Sequence, residues 1–214
     1  MKRRGFIGLG VMGYPMAGHI SKVYPTSVYN RSRNKSEDWN KTYKGTIAEN
    51  PEDLGRSCDE IFMCIGNDSD VREVISGKKG LLNSMSSGGI IIDHTTTSSS
   101  LSTEMSALCL EKGINYIDAP VSGGQVGAEN GALTIMAGGD KVAFEQAAIT
   151  LSCYAKFYKL MGPSGSGQLT KMVNQICIAG LLQGLSEGLN FSEKAGLDVS
   201  AVIDVISKGA AQSW

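Results

Sequence analysis

Three glycines raise the first chemical possibility. Gly8, Gly10 and Gly13 stand at GxGxxG spacing in Gly8-Leu9-Gly10-Val11-Met12-Gly13. A short apolar run, Gly5 to Leu9, precedes them, and a helical pattern from Met12 to Lys22 follows. In that setting each glycine has a physical task. Gly8 permits a tight turn, Gly10 lets the backbone approach a pyrophosphate, and Gly13 lets the helix pack close on the strand. The helix N-terminus then presents unpaired N–H groups and a positive dipole end to phosphates. The spacing alone is a weak signal in a chain with 27 glycines among 214 residues. The strand before it and the helix after it favour a nucleotide site over an ordinary βα turn.

A second strand, Thr26 to Asn30, ends in Asn30-Arg31-Ser32. An NAD-selective site carries Asp or Glu there, accepting hydrogen bonds from the ribose hydroxyls. Here the position is neutral and a guanidinium follows at once. The planar fork of Arg31 suits a 2′-phosphate, and Ser32 adds a donor. The expected cofactor is therefore NADP, with NAD as the alternative.

The elements that must position these residues alternate. Strands are expected at Asp59 to Ile65, Gly89 to Asp93, Asn115 to Asp118, Ala132 to Ala137 and Lys156 to Lys159. Helices are expected over Pro51 to Ser57, Val71 to Ile75 and Leu101 to Gly113, and Thr95 to Ser100 reads as a capping loop. Alternation of this kind predicts an α/β fold with a Rossmann-type doubly wound parallel sheet. The breaker cluster Gly162-Pro163-Ser164-Gly165-Ser166-Gly167 then places a domain boundary, with residues 1–162 as the dinucleotide-binding domain. Residues 163–214 form a long helix, Gln168 to about Ala195, and the start of an all-helical domain. Gly196 ends that helix, and Asp198 or Ser200 caps another through Ser207. The stripe Leu169, Met172, Val173, Ile176, Leu182, Leu185 and Leu189 is too wide for one further helix to cover. The expectation is a homodimer or homotetramer through the helical part, or a truncated chain.

Composition narrows the class. Twenty Lys and Arg against 21 Asp and Glu leave a formal charge of −1, so no basic field holds nucleic acid or an anionic membrane. No apolar run reaches the roughly 18 residues of a membrane span. Met1-Lys2-Arg3-Arg4 with the uncharged run behind it imitates a secretory signal, but glycines and Pro15 interrupt it. Five cysteines without CxxC spacing and two histidines make no metal cluster, and reduced thiols point to the cytoplasm.

Four segments in order carry a resemblance: Gly5 to Ile20 (GFIGLGVMGYPMAGHI), Asp93 to Ser98 (DHTTTS), Asp118 to Gly124 (DAPVSGG) and Gly167 to Asn174 (GxxxKxxN). They resemble the β-hydroxyacid dehydrogenase family, whose members include 3-hydroxyisobutyrate dehydrogenase and the glyoxylate and succinic semialdehyde reductases. The resemblance implies hydride transfer between a nicotinamide cofactor and a small carboxylate-bearing substrate. It implies that Lys171 is catalytic, that Ser122, Gly123 and Gly124 hold the substrate carboxylate, and that Asn174 orients substrate and lysine. It places Thr96 near the nicotinamide and Ile65, Gly66 and Asn67 along the cofactor. Lys171 and Asn174, at i and i+3, share one helix face, and a Ser-Gly-Gly turn can present N–H groups to an anion.

The sequence departs from the family pattern at His19 and Gln175, where Asn is common. A later lysine that closes over the cofactor has no counterpart in these 214 residues. An NADP-dependent reductase is the leading expectation and an NAD-linked 3-hydroxyisobutyrate dehydrogenase the next. Lys171 disfavours an imine reductase, which usually lacks the lysine, and the joint presence of Lys171, Ser122 and Asn174 disfavours a non-catalytic nucleotide-binding scaffold.

Overall fold

The computed structural model describes residues 3–212; Met1 and Lys2 of the signal-like start and the terminal Trp214 lie outside them. In chain order the first half runs β1 (Arg4–Ile7), α1 (Gly13–Ser21), β2 (Thr26–Tyr29), α2 (Arg33–Tyr43), β3 (Thr46–Ile47), α3 (Pro51–Ser57), β4 (Glu60–Met63), α4 (Asp68–Ser76) and β5 (Ile90–Asp93). Then come α5 (Ser99–Glu111), β6 (Asn115–Asp118), β7 (Val121–Ser122), α6 (Gly124–Glu129), β8 (Leu133–Gly138), α7 (Lys141–Leu151), β9 (Ala155–Gly162), α8 (Ser166–Lys194) and α9 (Val199–Ile206).

The strands form one sheet in the order β3-β2-β1-β4-β5-β6-β8-β7, with β9 on β8. From β3 to β6 every pairing is parallel, as the alternation of elements predicts. Beyond β6 the sheet is mixed: β8 runs antiparallel to both β6 and β7, and β9 runs parallel to β8. The cause is connection length. A parallel crossover needs about a dozen or more residues, usually a full helix. Between β7 and β8 there is only the short α6 and its turns, so the chain doubles back.

The strands read as continuous apolar runs because both faces are covered. Phe6, Phe62 and Ile92 join the core on one face with Ile20, Trp39, Leu133 and Tyr154. Their neighbours Ile7, Ile61 and Ile91 join the core on the other with Leu54, Val71, Leu101 and Met105. Two longer helices give no apolar period to read. Helix α2 buries only Ser36 and Trp39, and α7 buries Ala143, Ala147, Thr150 and Leu151. Trp39 seats α2, and Ala143, Ala147, Thr150 and Leu151 seat α7, whose exposed Val142 and Ile149 blur the apolar period.

Contacts divide the chain into two compact units, one ending at Lys171 and the other starting at Met172. The division falls within α8. In the second unit Asp198 caps α9, its carboxylate accepting from the N–H groups of Ser200 (2.9 Å) and Ala201 (3.4 Å). Among the described residues no helix is long and apolar enough to cross a membrane, and no group of His, Cys, Asp and Glu could hold a metal.

His94, at the end of β5, is part of the first core. Its ring stacks over Phe62, its Nδ1 lies 2.6 Å from the Ala119 carbonyl, and its Nε2 lies 2.8 Å from the Tyr154 hydroxyl. Both contacts suit a neutral imidazole that donates from Nδ1 and accepts at Nε2. Burial pushes its pKa down to about 4. The unfolded chain, titrating near the ordinary value of about 6.5, therefore takes up the proton first. The His94 contribution is complete above about pH 6.5 and lost as pH falls toward 4. The adjacent Asp93, raised to about 6 by burial, slopes the other way. Urea denaturation of wild type and His94→Phe from pH 7.5 to 4.5 separates the two. The wild type should lose roughly 3 kcal/mol relative to the variant across that range, and parallel curves would contradict the neutral assignment.

Candidate active site

The turn between β1 and α1 is built by exclusion. Gly8 has φ +93, a left-handed conformation, and a Cβ there would strike the Cys64 carbonyl beyond β4. A Cβ on Gly13 would strike the Gly8 carbonyl oxygen and come within 2.9 Å of the Phe6 ring. At Gly10 nothing lies within 4 Å of the Cβ position, so the middle of the turn faces open space. Helix α1 has no side-chain cap and no acidic residue in its first turn, which leaves N–H donors for an anion.

Asn30 ties this turn to the end of β2. Its Oδ1 accepts from Leu9 N (2.8 Å) and its Nδ2 donates to the Ser32 carbonyl (3.0 Å). An aspartate could not make the second bond, so the neutral residue read from the sequence has a structural use as well.

A cavity of about 730 Å³ runs along the turn. Gly8, Gly10, Asn30, Arg31, Ser32, Ile65 and Gly66 line it together. Leu9, Val11, Met12, Gly13, Asn67 and Thr96 do not. Leu9 and Gly13 are buried beneath the turn, whereas Val11 is exposed. The carboxamide oxygen of Asn67 accepts from Ser69 N (3.0 Å) and Asp70 N (3.1 Å), so this residue is the N-cap of α4.

Arg31 is 86% exposed and touches Asp70 at 3.3 Å. Arg33 is held by Glu37 (3.1 Å) and Glu49 (2.6 Å). Ser32 caps α2 in an extended conformation, yet its hydroxyl makes no cap hydrogen bond. Lys35, Lys78 and Lys79 also line the cavity. The sequence reading missed them; only Lys35, four residues after Arg31 on the helix that follows, carried a local signal. Glu49, Asp70 and Glu73 share the lining with these cations. An open turn and a cavity with Arg31 and Lys35 beside the end of β2 fit a dinucleotide phosphate chain.

At the C-terminal ends of β5 and β6, Asp93 and Asp118 stand in register. Both are fully buried. Asp93 Oδ1 accepts from Thr95 N (2.8 Å) and Oδ2 from the Tyr116 hydroxyl (2.8 Å). Asp118 accepts from Gly165 N (2.7 Å) and Gln168 N (3.0 Å), the N–H groups at the start of α8. Desolvation raises the pKa of both carboxyls, and the hydrogen bonds to each pull the other way. Next to Asp118 on the chain, β7 carries Ser122, and Gly123 and Gly124 lead into α6. His19 on α1 holds the far end of α6, with Nε2 between the carbonyls of Ala128 (3.1 Å) and Glu129 (2.9 Å).

Lys171 lies in the second turn of α8, half-buried, and burial lowers its pKa. Thr96 is exposed between the buried Thr95 and Thr97. In the second unit the Asn174 amide donates to Gln175 Oε1 at 3.0 Å.

Residues 3–173 match the NAD-binding domain of 6-phosphogluconate dehydrogenase as a family, and residues 165–214 match the NAD-binding family of NADP-dependent 3-hydroxyisobutyrate dehydrogenase. The chain belongs to the β-hydroxyacid dehydrogenase family. An uncharacterized oxidoreductase of Shewanella frigidimarina is 52% identical over 100% of this chain and 74% of its own length. A probable 3-hydroxyisobutyrate dehydrogenase-like mitochondrial protein of Arabidopsis thaliana is 40% identical over 99% of this chain and 70% of its own. The solved 3-hydroxyisobutyrate dehydrogenase of Mycobacterium tuberculosis, with L-serine, superposes with a TM-score of 0.91 at 25% identity, covering 100% of this chain and 72% of that one. The protein is thus an NAD(P)-dependent dehydrogenase of hydroxy acids, and the glycine turn and cavity are features of its NAD(P)-binding domain.

In this dehydrogenase the Tyr116 hydroxyl stabilises the ionised form of Asp93. Tyr116→Phe should raise the Asp93 pKa beyond about 6 and cost roughly 1–3 kcal/mol where Asp93 is ionised. Because a protonated Asp93 needs that donor less, the loss should be larger at pH 8 than at pH 5. Denaturation midpoints at the two pH values check this, and an equal loss at both would contradict it.

Proposed function

We propose that the protein is an NADP(H)-preferring enzyme that interconverts a small β-hydroxy acid and its semialdehyde, or reduces a glyoxylate-type acid. The observation that carries the cofactor choice is the end of β2. Arg31 and Ser32 stand in place of a ribose-binding carboxylate and line the cavity; the exposed guanidinium meets Asp70 at 3.3 Å, and the Ser32 hydroxyl makes no cap hydrogen bond. Lys35 supplies a second cation on the same rim. The other cofactor positions, Leu9, Val11, Met12 and Gly13, act through the turn they form.

A nicotinamide dinucleotide, when bound, supplies the hydride in reduction and accepts it in oxidation. Lys171 donates a proton to the carbonyl oxygen in reduction and takes the hydroxyl proton in oxidation. Its lowered pKa favours the neutral form that oxidation requires. Ser122, Gly123 and Gly124 hold the substrate carboxylate, and Asn174, three residues beyond Lys171, orients substrate and lysine. The mycobacterial relative was solved with L-serine, a small acid with a β-hydroxyl, which supports this substrate class. The exposed apolar residues of α8, among them Leu169, Val173, Ile176 and Leu182, support association of copies through the helical part. The free thiols support a reducing compartment such as the cytoplasm.

A panel of glyoxylate, succinic semialdehyde and 3-hydroxyisobutyrate with both dinucleotides tests the reading. Arg31→Ala should weaken NADPH binding by roughly 1–3 kcal/mol and hardly change NADH; equal losses would overturn the NADP assignment. Lys171→Ala should abolish turnover with dinucleotide still bound. In the wild type, kcat/KM for oxidation should rise with pH through an ionisation below the ordinary lysine value of about 10.4. Near-normal kcat in Lys171→Ala would remove the lysine from the chemistry.

A further inference from the structure

Gln168 is fully buried, and the reaction proposed above assigns it no part. The residue is 1% exposed. Its Oε1 accepts from Thr97 N at 3.1 Å and its Nε2 donates to the Thr95 carbonyl at 2.7 Å. These bonds grip the two peptide groups on either side of Thr96, as a neighbouring strand would, and leave Thr96 as the exposed residue between them. The same residue's backbone N–H is held by Asp118, and Lys171 follows three residues later, about one helical turn away. Thr95 in turn accepts from Ile65 N through its hydroxyl (3.1 Å) and donates from its own N–H to Asp93.

We propose that Gln168 is a positioning residue that sets the spacing between the Thr95–Thr97 loop and the turn of α8 carrying Lys171. The inference rests on the reading of Lys171 as the proton-transfer group and of Thr96 as lying beside the nicotinamide. A carboxamide suits the task because it donates and accepts across one span without charge. An ionised Glu there would turn an acceptor toward the Thr95 carbonyl. Met would fill the space and leave the Thr97 N–H and the Thr95 carbonyl unpaired in a buried setting. Small misplacements between a catalytic group and a bound reactant carry large rate penalties.

The test compares Gln168→Met, Gln168→Glu and Lys171→Ala in the purified protein. It uses NADPH binding by fluorescence, amide exchange of the segment containing Thr95 to Ser98, and kcat and KM against pH with the best substrate of the panel. Both Gln168 variants should bind NADPH within about twofold of wild type, exchange the Thr97 amide faster, and lose kcat by roughly 10- to 100-fold with KM little changed.

The pH dependence distinguishes positioning from general loosening. Burial raises a glutamate pKa, and its protonated form can again donate to Thr95 and accept from Thr97. Relative to wild type, kcat of Gln168→Glu should therefore recover as pH falls, while Gln168→Met stays flat. Asp93, Asp118, Tyr116 and Lys171 titrate in every form, so the ratio to wild type removes their common effect. Near-normal kcat in both variants, or a flat ratio for Gln168→Glu, overturns the proposal. Should Gln168→Met fail to fold, the ratio for Gln168→Glu decides alone. An active Lys171→Ala refutes the lysine reading, whereas an inactive one with normal Gln168 variants refutes this inference only.

Discussion

The Asp118 carboxylate at the start of α8 is the contact on which the rest of the site depends. A helix leaves its first N–H groups without partners, and a negative charge there also meets the positive end of the dipole. Asp118 answers both from the end of β6, with one oxygen on Gly165 N and the other on Gln168 N. The arrangement requires close approach. A Cβ on Gly167 would come within 2.7 Å of Asp118 Oδ2, and one on Gly138 within 2.6 Å of Asp118 Oδ1. The glycine in the Gly167-to-Asn174 motif is thus explained by packing against a carboxylate, and the helix that carries Lys171 starts where the central sheet dictates.

Charge burial makes the contact consequential. Asp93 and Asp118 sit side by side with no cation paired to either among the described contacts, and each relies on hydrogen-bond donors. Buried ionic groups are expensive unless every lone pair is met. The donors come from the segments that have to be placed: the loop after β5, the side chain of Tyr116, and the first turn of α8. Desolvation therefore acts as a positional constraint, since any slip of those segments would strip a buried carboxylate of its partners. Asn30 does the same work at the other end of the sheet without charge, joining the glycine turn to the end of β2.

The parts of the site built from neighbours in the chain were readable from residue order. The glycine spacing needs only its own strand and helix, and Arg31 and Ser32 follow directly from where β2 ends. Helix α3 has the limits expected for it; in the structure Asn50 caps it, accepting from Asp53 N, and Pro51 starts it. The antiparallel β8 was not readable, because pairing direction depends on how much chain is available to cross the sheet. Helices α2 and α7 were hidden because α2 buries only Ser36 and Trp39, and α7 buries mostly small residues while exposing Val142 and Ile149. Lys78 and Lys79 reach the cavity from a loop distant in sequence, and nothing local marks them.

By itself the sequence determined the fold class, the nucleotide turn, the neutral end of β2 and the family, because each rests on short-range spacing with a definite steric or electrostatic reason. Tertiary structure alone decided which polar groups meet. Asp118 and Gly165 are 47 residues apart, and Gln168 and Thr97 are 71 apart. Hydropathy and periodicity report which face of an element is buried. They carry no information about which distant donor will satisfy a buried oxygen, because that follows from strand order and register, which are set by the packing of the whole sheet.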